Sequence, residues 1–408
     1  MAKTVIFLEE KKMMQDFEDM LYLFGEGAIG VGTMLPEHGL YVDLIRKYAI
    51  ALGIWPVVYT SLSEHCDVSI YQNEFLKTVS KGITRNEFTL RIIKQIEDAG
   101  IEVCLLKGMT VSMLYKNPDC RISGDTDIWI ALDNVEKTIS VLKECGYTIE
   151  EYLRNSHHIK AHHTIGGLLE IHISLYRNTD EQIVFNGLKM YDEPYRNITI
   201  SGYTLKTLGF NDGLIYLTAH FIKHLVKKGS GIRQVMDLLL YIREYEKEID
   251  FGKYNDILKE LRYDKLVDVI KSIGAKYFGL NYPICSKDIM DRVLLDMKNG
   301  GVFGFGTNTR SDFYDKYCQR RTELTRYKFK KYFEANAERS LLEKIFPKQQ
   351  ILMATGYNYA KKKYLVPVAW VNRYFDLILR RGKEAADYRK KTEVEERLRL
   401  MRDLNMID

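Results

Sequence analysis

Asp125 and Asp127 are two carboxylates separated by one residue at the head of an apolar, β-rich run, Asp125-Thr-Asp-Ile-Trp-Ile-Ala-Leu132. Side chains alternate faces along a strand, so the two acids lie on one side and converge on one spot. At ~4 Å and an effective dielectric near 20 they repel by about 4 kcal/mol, a cost that a divalent cation relieves. The spacing therefore predicts a metal site. A third acid comes from Leu168-Leu-Glu-Ile-His-Ile-Ser-Leu175, which alternates cleanly. Glu170, His172 and Ser174 share one face there, and Leu169, Ile171, Ile173 and Leu175 the other.

The elements around these residues decide what the acids can do. Ile101-Glu-Val-Cys-Leu-Leu106 reads as a short buried strand that runs into Lys107-Gly108 and a helix-like stretch from Met109 to Lys116. A glycine at that junction lets a phosphate approach the backbone, and Lys107 adds a cation. Thr84-Arg-Asn-Glu87 has the form of a capping box opening a helix, with Phe88, Ile92 and Ile96 inward and Gly100 at its end. Asp133-Asn-Val-Glu136 opens a second in the same way, with Val135, Ile139 and Leu142 inward and Gly146 closing it. Tyr147 to Leu153 and a strand near His158–Thr164 follow, turning at Gly166-Gly167 into the Glu170 strand. The pattern predicts an α/β (α+β) protein, a small mixed sheet embedded in a largely helical chain.

Four regions follow from this order. Residues 1–80 read as helical, with an apolar stretch from Tyr41 to Trp55 stopped by Pro56. Residues 81–205 form the α/β core. Residues 206–284 show helical periodicity through Leu214, Leu217, Phe221 and Leu225, then Val235, Leu238 and Leu239. Residues 285–408 form a basic, mostly helical C-terminal region.

The runs Leu105-Leu-Lys-Gly108, Arg121-Ile-Ser-Gly-Asp-Thr-Asp-Ile128 and Leu169-Glu-Ile-His172 resemble the uncharacterised bacterial nucleotidyltransferases of the polymerase-β-like superfamily. His220, His224 and the Gly231–Asp237 segment are similar to that family's helical part. Ile345-Phe-Pro347 and Leu365–Trp370 are similar to its C-terminal part. The resemblance implies transfer of a nucleotidyl group from a nucleoside triphosphate to an acceptor hydroxyl, with release of pyrophosphate and help from two Mg2+ or Mn2+ ions. Asp125, Asp127 and Glu170 would then be both catalytic and metal-binding, with Glu170 able to take the proton. Lys107, Gly108, Gly124, Arg121 and His172 become the candidates for holding the nucleotide. Two departures from the wider pattern stand out. Met109 follows the glycine where that pattern has a small residue, leaving Thr110 or Ser112 as the substitute hydroxyl, and fifteen residues separate Met109 from Asp125.

Other chemistries fit less well. His157, His158, His162, His163 and His172 crowd together, but adjacent histidines on a strand face opposite ways, which argues against zinc. His220 and His224 share a helix face with no acid between them, and they read as lining the cleft or packing. Arg233 and Asp237, four apart, read most simply as an ion pair on a helix surface, with contact to the nucleotide as the alternative. An Asp-x-Asp pair also serves metal-dependent glycosyltransferases, which place it after a full nucleotide-binding half-domain; a single short helix precedes it here. A non-catalytic nucleotide-binding or interaction protein with a degenerate fold of this type is the remaining alternative.

With 408 residues and 46% hydrophobic content, the chain is long enough for a substantial core. Six cysteines without C-x-x-C spacing predict reduced thiols. No stretch has the length of a signal peptide or a membrane span, so the expected location is cytoplasmic. The net charge of +5 hides an asymmetry: residues 319–408 hold 22 Lys and Arg against 12 Asp and Glu, a balance of +10, leaving −5 elsewhere. Aromatics interleave this basic part, as in Tyr327-Lys-Phe-Lys-Lys-Tyr-Phe333, in Lys361-Lys-Lys-Tyr364, and at Trp370, Tyr374 and Phe375. Weak contact with a polyanion or an anionic membrane surface is the functional expectation there, and a solvated helical face the simpler one.

Overall fold

The computed structural model describes residues 2–31, 39–150, 158–175, 193–227, 229–300, 363–372 and 384–407. The segments Tyr327–Phe333 and Ile345–Pro347, together with His157, Cys318, Tyr374 and Phe375, lie outside them. Residues 1–306 with 403–406 form one compact unit, and residues 307–402 with 407–408 a second. Everything that follows concerns the first.

Four helices precede the sheet: α1 (Ala2–Ile29), α2 (Val42–Ala51), α3 (Trp55–His65) and α4 (Gln72–Asp98). Pro56 does not stop the apolar stretch. Gly53 breaks it at a positive φ of 65°, and Pro56 sits in the first turn of α3, where its missing N–H costs nothing. The capping box at Thr84 is likewise not an N-terminus. Helix α4 runs through it, and Thr84 Oγ1 donates to the Ser80 carbonyl inside the helix at 2.9 Å. Nothing in residues 72–83 interrupts a helix except Gly82, which is there for packing: a Cβ at that position would meet Ile122 Cδ1 at 2.6 Å.

The sheet has seven strands: β1 (Cys104–Leu105), β2 (Asp125–Trp129), β3 (Thr148–Ile149), β4 (His158–His163), β5 (Gly167–His172), β6 (Arg196–Ile200) and β7 (Tyr203–Thr207), in the order β3-β4-β5-β2-β1-β7-β6. It is mixed: β2 runs parallel to β5 and antiparallel to β1, while β1 runs parallel to β7. Strand β1 is shorter than the apolar run 101–106 suggests, although Leu106 N still donates to the Asp127 carbonyl at 3.1 Å, and one short helix, α5 (Met109–Ser112), follows it. The β6–β7 hairpin is an edge pair that the sequence reading did not anticipate; Arg196-Asn-Ile-Thr-Ile200 and Tyr203-Thr-Leu-Lys-Thr207 alternate too briefly to announce themselves.

One face of the sheet is the main core. Ile128, Leu169, Ile171, Ile159 and Leu205 pack there against Leu90, Ile93 and Ile96 of α4, and against Ile139 and Leu142 of α6 (Val135–Glu144). The start of α6 differs from the expected box: Leu132–Asn134 forms a 3-10 turn, and Asn134 caps the helix without a side-chain bond. Because β2 alternates, burying Thr126 and Ile128 on the core side commits Asp125, Asp127 and Trp129 to the other face. Helices α7 (Phe210–Lys227) and α8 (Ile232–Glu244) follow the sheet, and Tyr216 of α7 packs with Cys104, Leu106 and Leu208, against which Trp129 also rests.

Among the described residues no helix is long and apolar enough to cross a membrane. Cys66, Cys104, Cys120, Cys145 and Cys285 are free thiols.

Candidate functional site

The parallel register of β2 and β5 sets Asp127 beside Glu170 and Trp129 beside His172. Alternation on β5 then brings Glu170 and His172 to the face that already carries Asp125 and Asp127. Antiparallel β4 adds Lys160 opposite Glu170 and His158 opposite His172. The three acids and His172, carried on two strands about 40 residues apart in sequence, thus share one patch of sheet.

Asp127 is its centre, 1% exposed. Lys107 Nζ lies 2.8 Å from Asp127 Oδ2 and 3.9 Å from Asp125 Oδ2, while His172 Nε2 lies 2.9 Å from Asp127 Oδ1 and 4.0 Å from Glu170 Oε2. His158 Nε2 and Lys160 Nζ each approach Glu170 Oε1 at 3.9 Å. Lys107 therefore points into the acids, carried there by β1 and by the bond from Leu106 N to the Asp127 carbonyl.

Electrostatics separates the two buried carboxyls. Burial disfavours the charge on Asp127, but the ammonium of Lys107 and the bond from His172 outweigh it, and the carboxyl is held below the ordinary range. Glu170 goes the other way: burial, then the charges of Asp127 and Asp125, push it up. One acid is a fixed anion, and the other is a more basic carboxylate.

Asp127, Glu170 and His172 offer ligand atoms that all lie within 4.8 Å of one another. Ligand atoms ~2.1 Å from a shared ion stand roughly 3.0 Å apart at right angles and roughly 4.2 Å apart when opposed, so a divalent ion fits this group with small side-chain adjustments. Asp125 is outside the group and half-buried at its rim, where it faces Lys107.

The loop beside the acids accounts for Met109 in the place where a small residue was expected. Met109 is 4% exposed and belongs to the main core, so a small residue there would leave a hole. Thr110 and Ser112 do not supply the substitute hydroxyl: Thr110 Oγ1 donates to the Leu106 carbonyl at 3.5 Å and Ser112 Oγ to the Met109 carbonyl at 2.8 Å, both buried. The hydroxyl nearest the glycine comes from the far side of the loop. Gly108 has φ +74°, and a Cβ on it would lie 3.5 Å from Ser123 Oγ. Gly124 is exposed, with nothing within 4 Å of where a Cβ would be, so its backbone is open to a ligand.

Arg121 is not a free cation at this site. It is buried, its Nε donates to Asp237 Oδ1 at 3.1 Å, and Nη2 reaches Oδ2, while Tyr115 Oη donates to the same carboxylate at 2.8 Å. The expected Arg233–Asp237 surface pair is thereby corrected: Asp237 is taken by Arg121, which reaches it bidentately across the fold. Arg233 instead donates to the Ile122 carbonyl at 2.7 Å, and Arg85 of α4 to the Ser123 carbonyl. Neither is ion-paired among the described residues. Sequence reading missed Arg85, which it had placed inside a helix start; no local pattern marks a side chain that acts 38 residues along the chain. His220 and His224 of α7 face each other with ring centroids 4.4 Å apart. Burial and then the nearby Lys107 ammonium push His220 well below the ordinary histidine range, so it stays neutral.

Partial likenesses among solved structures are to the antibiotic-resistance factor ANT(2'')-Ia (11% identity, 45% of this chain and 95% of that one, TM-score 0.32), the lincosamide antibiotic adenylyltransferase LnuA bound to lincomycin (16%, 38% and 94%, 0.26), and an antigenic nucleotidyltransferase-like protein from Paracoccidioides brasiliensis (15%, 52% and 95%, 0.31). No curated protein matches the chain. The model of the family described as uncharacterised nucleotidyltransferase matches residues 41–279, more than half of the sequence and all of the sheet with its acids. The chain belongs to the uncharacterised nucleotidyltransferase family.

Proposed function

We propose that this nucleotidyltransferase moves a nucleotidyl group from a nucleoside triphosphate to an acceptor hydroxyl, with a divalent cation at the acids of β2 and β5. The observation that carries the reading is the pairing of Asp127 with Glu170 across two parallel strands, with their ionisation pushed in opposite directions. A bound divalent ion would polarise the α-phosphate and lower the pKa of the acceptor oxygen.

The chain's own groups do the rest. Asp127 stays ionised and anchors the cation. Glu170, beside Asp127 on the neighbouring strand, is the carboxylate placed to take the acceptor proton as the acceptor oxygen attacks the α-phosphorus. The bond from that phosphorus to the bridging oxygen breaks, and pyrophosphate leaves. Negative charge builds on the leaving group, and the cations that can meet it are Lys107 together with Arg85 and Arg233, whose partners are backbone carbonyls of the Ile122–Ser123 loop. Ser123 and the open backbone at Gly124 line the same loop, with the buried Gly108 against Ser123. Arg121, neutralised by Asp237, positions this loop through its 3.1 Å bond from Nη1 to Ser123 Oγ.

The test is thermal stability of wild type and Asp127→Asn with each nucleoside triphosphate, with and without magnesium, alongside a panel of nucleotide sugars. A ligand at a hundred times its dissociation constant adds about 2.7 kcal/mol. Magnesium-dependent stabilisation by a triphosphate, absent in Asp127→Asn, is the expected result and names the donor, after which pyrophosphate release reports transfer to acceptors. Stabilisation by a nucleotide sugar alone would turn the reading to glycosyl transfer, and none at all to a binding module without catalysis.

A further inference from the structure

We propose that His172 is itself a metal ligand, through Nε2, alongside Asp127 and Glu170, so that the centre is a mixed nitrogen and oxygen site suited to manganese. The inference rests on the reading of these acids as a metal site and changes what that site is made of.

The argument begins with which oxygen of Asp127 faces which neighbour. Lys107 lies against Oδ2, and His172 Nε2 against Oδ1, on the side of Glu170. An ion between Oδ1, Glu170 and His172 therefore leaves the ammonium in place. The present spacing of 4.0 Å to Glu170 Oε2 lies within, and that of 2.9 Å to Oδ1 just below, the range that ligands of one ion keep from each other, roughly 3.0–4.2 Å for bonds of ~2.1 Å. His172 is 5% exposed and follows Glu170 by two positions on a regular strand, so its ring is directed at the acids by the backbone. What now bridges Nε2 and Oδ1 is a proton. An ion takes that position when the ring carries its proton on Nδ1 instead: the proton moves from one ring nitrogen to the other, and the Nε2 lone pair binds the ion.

The chemical consequence is selectivity. Mg2+ prefers an all-oxygen shell and gives up its waters reluctantly, whereas imidazole is a good ligand for first-row transition ions. A purely structural histidine, holding Asp127 by a hydrogen bond, would give no such preference and no metal–nitrogen bond.

Pulsed electron paramagnetic resonance of Mn2+ added to the full-length protein without nucleotide tells these apart. The expected spectrum shows coupling to an imidazole nitrogen that changes when the unaltered protein is grown on 15N-histidine, which needs no mutant to fold. The coupling should vanish in His172→Asn, with Mn2+ affinity falling about tenfold or more and Mg2+ affinity, read by competition, changing much less. Bound Mn2+ with no nitrogen coupling, or coupling that survives in His172→Asn, would overturn the proposal. The two readings fail separately: nitrogen-coupled Mn2+ in a protein that transfers nothing leaves this inference standing, while an active enzyme with oxygen-only Mn2+ removes it and spares the function.

Discussion

Asp127 shows how much of the site's behaviour one residue carries. Its folded pKa lies below the 3.8 of a free aspartate. A depressed carboxyl stabilises the fold while the pH is above the unfolded value and stops doing so as the pH falls through that value towards the folded one. In metal-free protein, urea titrations should therefore show wild type losing stability relative to Asp127→Asn below about pH 4, by up to about 1.4 kcal/mol per pH unit. Glu170 has the opposite sign. Its charge is disfavoured by burial and by Asp127 and Asp125, so it costs the metal-free fold stability as the pH rises through its raised pKa. Glu170→Gln should raise the melting temperature at pH 7 in the presence of chelator by roughly 1 °C, about 1 kcal/mol for a chain of this size. Nucleotidyl transfer should be lost in the same variant. A lower melting temperature would mean that Lys160 and His158 stabilise the glutamate more than its fellow acids disturb it.

At the scale of elements, what the sequence reveals follows period and distance. Period-2 alternation in β2 and β5 was enough to put Asp125, Asp127, Glu170 and His172 on shared faces, because one buried face fixes the other. Helix boundaries were less legible. The box at Thr84 is a local signal that the surrounding helix overrides, and Pro56 marks a start where it was read as a stop. The two arginines on the Ile122–Ser123 loop were beyond reach, since Arg85 and Arg233 arrive from helices that only the tertiary fold brings there. Close helix contacts are another long-range feature. In α1, a Cβ on Gly27 would stand 2.2 Å from the Val57 carbonyl oxygen of α3, and one on Gly25 would stand 2.6 Å from the Tyr277 carbonyl oxygen. Both obstacles are backbone, which cannot rotate away. Gly27→Ala should thus destabilise by about 1–3 kcal/mol or more, despite the higher helix propensity of alanine, and a neutral result in urea denaturation would refute the close packing of α1 on α3.

For the molecule as a whole, the distribution of charge matters more than its sum. The excess of basic residues lies in 319–408, while the unit that holds the acids is the more acidic part of the chain. Within that unit, Lys107 lies on Asp127 and near Asp125, Lys160 approaches Glu170, and Arg121 and Asp237 cancel each other. Removing divalent cations with a chelator should then shift the melting temperature of the nucleotide-free protein by less than about 2 °C, under about 2 kcal/mol for this length; a large drop would show that the acids depend on an ion for their stability. Lys107 is the reason. It lies on Asp127 in the absence of any ion, so if the acids take a cation as proposed, maturation of the polypeptide would be separate from the supply of metal, and a newly made chain would complete its core even during a shortage of divalent cations.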